Sequence, residues 1–158
     1  MKIVNTNEIE ELSWASPKGT MRGFGKQVSE ALGRQPKSTD LLLRHPFDVE
    51  ILRIPAGFAP YPHHSHSAQW EFYHIISGSG FVRHDGGKEP VKTGDAMLFK
   101  PGEAHQLIAG EEDLVVYVVA DNPIGESYHY PDSGKVGVNL PERRLYRGES
   151  LDYFDGEE

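Results

Sequence analysis

The sequence predicts an all-β protein, a small barrel or sandwich of short strands. Three observations carry this. Seventeen glycines and eleven prolines interrupt a chain of 158 residues, many of them in its middle. Between them lie runs of four to eight residues rich in Val, Ile, Phe and Tyr. One run, Leu114–Ala120, is apolar without interruption and reads as a central strand buried on both faces.

The elements follow in order. Residues 1–46 read as an irregular arm that packs on the barrel or on a partner subunit. Within it, Lys26–Gly33 suits a short helix that Gly33 would stop. Residues 47–121 form the barrel. Phe47–Ile54 alternates and ends at Pro55-Ala-Gly57. Gln69–Ile76 ends at Ser77-Gly-Ser-Gly80. Phe81–His84 meets Asp85-Gly86-Gly87, a hairpin turn, and Glu89–Lys92 returns from it. Ala96–Phe99 stops at Pro101-Gly102, and His105–Ala109 at Gly110. Residues 122–158 form a tail with an acidic ending, which could close over the barrel mouth as a lid.

Composition limits the function. A net charge of −8 leaves no basic stripe to displace counterions from nucleic acid and no attraction to an anionic membrane. There is no cysteine, so disulfides, thiolate ligands and cysteine nucleophiles are excluded. The first residues lack the apolar stretch of a signal peptide, and a cytoplasmic location is the default.

The chemistry lies in His64, His66, Glu71 and His105. Two imidazoles two residues apart share one face of a strand. A nearby carboxylate and a third imidazole from a distant strand complete a nitrogen and oxygen set. That set suits one divalent transition metal (Zn, Fe, Mn or Ni) better than calcium or magnesium. Parity turns Glu71, Tyr73 and Ile75 inward and Phe72, His74 and Ile76 outward. It leaves His63 at the rim or behind the ligands, and His74 as a structural residue. Gln69, Tyr73, Arg83 and Tyr117 are candidates for the pocket wall. The apolar outward pair Phe72 and Ile76 needs a cover, which the arm or a second subunit would supply, so a homodimer is expected.

The same residues resemble the two motifs of the cupin superfamily. The first motif, Gly-x5-His-x-His-x3,4-Glu-x6-Gly, matches at Gly57, His64, His66, Glu71 and Gly78, with one extra residue after Gly57. The second, Gly-x5-Pro-x-Gly-x2-His-x3-Asn, matches at Gly94, Gly102 and His105. It departs at Lys100, with Pro101 displaced by one, and at Ala109. The resemblance covers about residues 47–121. It implies a double-stranded β-helix barrel, jelly-roll-like, with the four residues binding a divalent metal. Tyr130-Pro-Asp-Ser-Gly134 also resembles the ending of small single-domain cupins.

Function is then expected to be a metal-dependent enzyme, an oxygenase (dioxygenase) or isomerase, acting on a small polar molecule. The alternative is a non-catalytic module that binds a sugar or small acid. A storage-type structural role fits the intact ligand set least well.

Overall fold

A computed structural model describes residues 1–158 except 37, 39, 140–142 and 158. Six strands form the main sheet, in the order β1-β2-β3-β10-β5-β8. They are β1 (Leu12–Ala15), β2 (Arg22–Gln27), β3 (Phe47–Ile54), β5 (Glu71–Ser77), β8 (Ala96–Phe99) and β10 (Leu114–Asp121). A second sheet runs β7-β6-β9, from β6 (Ser79–His84), β7 (Gly87–Lys92) and β9 (His105–Ala109). A third, β13-β12-β11-β4, joins β4 (Ser65–His66) to β11 (Ser127–Tyr130), β12 (Lys135–Val138) and β13 (Arg144–Tyr146). Two one-turn helices, α1 (Val28–Ala31) and α2 (Leu41–Arg44), connect β2 to β3. The result is the all-β double-stranded β-helix barrel that the sequence predicts.

Leu52, Ile54, Ile75, Leu107, Leu114 and Val116 fill the barrel. Leu52, Ile54, Ile75, Leu114 and Val116 are at most 1% exposed. Each burial of such a side chain stabilises the fold by roughly 1.5–3 kcal/mol. The packing is polarised along the strands. On β3, Glu50 precedes Leu52 and Ile54. On β5, Glu71 precedes Tyr73 and Ile75. On β9, His105 precedes Leu107 and Ala109. Polar groups thus gather at one end of an apolar core.

Several local readings change. The arm is not irregular, because β1 and β2 extend the main sheet beside β3. Gly23 and Gly25 both lie within β2. A Cβ at Gly23 would meet the Trp14 ring at 2.3 Å, and one at Gly25 would meet Glu50 Oε1 at 2.1 Å. Close approach, rather than turning, requires glycine at both. The expected helix shrinks to Val28–Ala31, because Lys26 and Gln27 pair with Ile51 and Glu50. The run Leu114–Ala120 is central in the sheet but buried on its inner face only. Val115, Tyr117 and Val119 are half-buried on the outer face. The tail is no separate lid: β11 pairs with β4 and continues its sheet. Glu158, the end of the acidic stretch, lies outside the described residues. Among the described residues no helix is long and apolar enough to cross a membrane.

Candidate metal centre

Backbone pairing sets the histidines face to face. His64 and His105 form an antiparallel bridge, with His105 N–H donating to His64 O at 2.8 Å and His64 N–H returning to His105 O at 3.2 Å. The turn before His105 is held to the other histidine strand. Gly102, at φ +87°, donates its N–H to His66 O at 2.8 Å. Lys100 stands where the family motif has proline. Its N–H donates to Glu103 Oε2 at 2.8 Å, a bond that proline lacks, so a side chain braces this loop instead.

Each imidazole is oriented from behind. His64 Nδ1–H donates to Pro62 O at 2.9 Å, and His105 Nδ1–H to Glu103 O at 3.1 Å. His66 Nδ1 lies 3.5 Å from Glu126 Oε1. Carbonyl or carboxylate partners on one nitrogen leave the other free as a ligand. His105 Nε2 lies 2.8 Å from Glu71 Oε2 and His66 Nε2 3.4 Å from it. Donor atoms of His64, His66 and Glu71 all lie within 4.8 Å of one another. His105 joins them through Glu71, with its ring 5.0 Å from that of His64. The Phe99 ring stacks on His105 at 3.9 Å, and the Tyr73 hydroxyl donates to Glu71 Oε2 at 3.2 Å.

The electrostatics follow from burial and pairing. Burial pushes the Glu71 carboxyl upward, but the hydrogen bond from His105 and the nearby His66 imidazole outweigh it and hold it well below the usual carboxylate range. Burial acts against charge on His66, yet Glu71 and Glu126 raise it. His64 falls to about 4 through burial and repulsion from His105.

These residues fit a divalent transition metal. Both ring nitrogens of His66 are buried without a hydrogen-bond partner. With Nδ1–H committed to a carbonyl, His105 Nε2 holds 2.8 Å from a carboxylate only if a proton or metal cation shares the space. The two imidazole nitrogens and one oxygen of His64, His66 and Glu71 lie close enough together to share such an ion, with His105 beside them on Glu71.

A cavity of about 260 Å³ opens beside the cluster. Leu52 and Val118 give it an apolar lining, with Glu50, Tyr61, Tyr128 and Arg143 around the histidines. A larger open groove, about 870 Å³, lies along Ser79, Pro90, Lys92 and Glu111. It contains no histidine, so the smaller cavity is the candidate site. Of the sequence candidates for its wall, Tyr73 lines it. Gln69 does not, because its amide donates to Asp121 O. Arg83 is drawn outward into a two-bond pair with Asp132, at 2.6 and 2.7 Å. Tyr117 shares the outer face with His74, since inward Val116 and Val118 flank it. His63 is not at the rim. It is 3% exposed, with Nδ1 3.9 Å from Asp132 Oδ1, because strand alternation does not extend ahead of β4.

Glu50 is the main residue overlooked. Its parity with Leu52 and Ile54 on an apolar face was a readable signal. Burial and the neighbouring Asp48 push its carboxyl up to about 7, while Gln27 Nε2 donates to it at 3.1 Å. Tyr128 and Arg143, which reach the cavity from the tail, carried no such signal, and neither did Glu126, which stands behind His66.

Comparison with known proteins agrees with this architecture. A family model described as "Cupin domain" matches residues 50–120. Over its barrel the chain is similar to the cupin family, and the match spans somewhat less than half of its length. An oxalate-binding protein from Thermotoga maritima is 42% identical over 53 residues, which are 32% of this chain and 43% of that protein. The match therefore spans less than half of that relative. A sugar phosphate isomerase from Silicibacter pomeroyi superposes with a TM-score of 0.77 at 20% identity, over 96% of this chain and 98% of that one. The structure titled a predicted oxalate decarboxylase from Thermotoga maritima gives 0.59 at 20% identity, over 77% and 100%. At these identities the structural likeness is one of fold.

Proposed function

We propose that the protein is a metal-dependent enzyme of the isomerase type that moves protons on a small polar molecule. His64, His66, Glu71 and His105 would hold the metal. When bound, it would polarise a carbonyl or hydroxyl oxygen of the substrate. One observation carries the reading: Glu50, a carboxyl pushed up to about 7, faces the same cavity as the histidine cluster. A group with that pKa both takes and returns protons near neutrality. Glu50 would remove the proton from the hydroxyl-bearing carbon beside the carbonyl and return it to the former carbonyl carbon, while the hydroxyl proton passes to the former carbonyl oxygen, so the substrate changes isomer without gaining or losing atoms. Gln27 Nε2 donates to the carboxyl, and Gly25 leaves the room it occupies. Burial keeps the Tyr61 and Tyr73 phenols protonated, so both remain hydrogen-bond donors.

The test is solvent-deuterium incorporation, followed by NMR, across a panel of small hydroxyaldehydes, hydroxyketones and keto acids. Metal-loaded protein should label at least one, and Glu50→Gln should retain metal yet stop the labelling. Oxygen uptake without labelling would instead assign an oxygenase. A second reading, a non-catalytic module for a small acid, is favoured by the curated relative named for binding oxalate. Tight binding across the panel with no labelling and no oxygen uptake would establish it. Exposed Phe72, Ile76 and Leu98 on the outer sheet face support a homodimer. Sedimentation of a monomer alone would reject it.

A further inference from the structure

We infer that Arg143 makes the cavity a receptor for an anionic group, a carboxylate or phosphate, on a molecule whose other end reaches the histidine cluster. The inference rests on the reading above that the cavity takes a small substrate, and it names the class of that substrate.

Arg143 reaches the cavity from the tail, as Tyr128 and Tyr130 do. It immediately precedes β13. Strand β13 pairs with β12, β12 with β11, and β11 with β4, where Tyr128 faces His66. A continuous hydrogen-bonded ladder therefore relates Arg143 to a metal-ligand candidate. Among the described lining residues it is the only Lys or Arg. Among the described residues, no carboxylate lies within ion-pair distance of it, whereas Arg34, Arg53 and Arg83 are all paired.

Its charge acts inside the cavity. Burial pushes the Tyr61 and Tyr128 phenols up, and Arg143 draws both back. Tyr61, Tyr128 and Tyr130 line the same cavity with phenol groups. Lys135 Nζ, 4.8 Å above the Tyr130 ring, adds positive potential to the same wall. The two cavity carboxylates do not use up this charge. Glu71 is held by His66 and His105, and Glu50 is largely neutral below about 7. A planar guanidinium with no carboxylate partner among the described residues, in a cavity lined with phenols, matches the oxygens of a carboxylate or phosphate two at a time.

The experiment is calorimetric titration with inorganic phosphate and, separately, malonate. It compares wild type, Arg143→Met and Arg143→Lys, each metal-free after dialysis and each metal-loaded. Arg143→Met should weaken at least one probe about ten-fold or more in both forms, with an unchanged melting temperature. Arg143→Lys should recover part of the loss, because it restores charge without the fork. Dependence for phosphate alone assigns a phosphoryl group, and for malonate alone a carboxylate. Equal affinity of wild type and Arg143→Met for both probes overturns the inference. Failure of the metal reading is separable: the wild type would then take up no metal, while Arg143-dependent anion binding persisted.

Discussion

Strands β3 and β5 flank β10, and each turns one carboxylate toward the same cavity, with opposite results. On β5, Glu71 meets two imidazoles and stays ionised despite burial. On β3, Glu50 meets an amide, a second carboxylate and a glycine, and its pKa climbs to about 7. Register places Glu50 level with Tyr73, since both pair with Val118, while Glu71 pairs with Ala120 nearer the strand end. Burial alone favours the neutral acid, and only donors or cations reverse it. One sheet thereby presents a permanent anion for cation binding beside an acid that can exchange protons.

The contrast is broken most severely at Glu71. Glu71→Ala leaves His66 and His105 facing each other without an anion. The expected cost is about 3 kcal/mol of metal-free stability by chemical denaturation, with loss of metal retention by elemental analysis. Full metal uptake by this variant would contradict the ligand assignment.

Glu50 is tested through pH. Its folded pKa lies above the unfolded one, so the native state holds the proton longer. Its contribution is complete below about 4.5 and declines as pH rises through about 7. Asp48, Glu71 and Glu30 raise that value, and Gln27 lowers it. Metal-free wild type should therefore lose about 2 kcal/mol across this window relative to Glu50→Gln. Glu71 has the reverse sign: its contribution holds above about 4.5 and is lost on further acidification. Parallel pH profiles for wild type and Glu50→Gln would mean that Glu50 is not buried as described.

Gly25→Ala sharpens the β3 side. Its Cβ would overlap Glu50 Oε1, and the strain should cost about 1–3 kcal/mol. Adding Glu50→Ala should recover much of it in a double-mutant cycle. Glu126→Gln probes the support behind His66. Glu126 accepts from Ser67 N–H and Ala68 N–H at 2.8 and 3.1 Å. The substitution should reduce metal affinity about ten-fold by competition titration. Tyr117→Phe, on the outer face, should leave metal affinity unchanged.

Much of the barrel was legible. Phe47–Ile54 and Ala96–Phe99 are strands with the expected bounds, because glycine and proline mark their ends and alternation marks their faces. The inward set Glu71, Tyr73 and Ile75 followed from the same alternation. Strand β2 was illegible because its glycines serve contacts with Trp14 and Glu50 that lie far away in sequence. The tail strands were illegible because they are short, and they join the site only through the pairing of β11 with the distant β4. Arg83 and Tyr117 were misplaced for different reasons. A salt bridge across 49 residues claims one, and the pleat turns the other outward.

Local order therefore determined the strand periods, the turns between them, and the imidazoles and carboxylate that could share a cation. These depend on neighbours a few residues apart, where backbone sterics and side-chain alternation act directly. Folding alone decided that the Glu50 carboxyl would be pushed up to about 7 while Glu71 stays ionised. It also decided that Glu126 would stand behind His66 and that Arg143 would reach the cavity from the tail. Those properties arise from burial and from charges brought together across long stretches of chain, and no local pattern encodes that proximity.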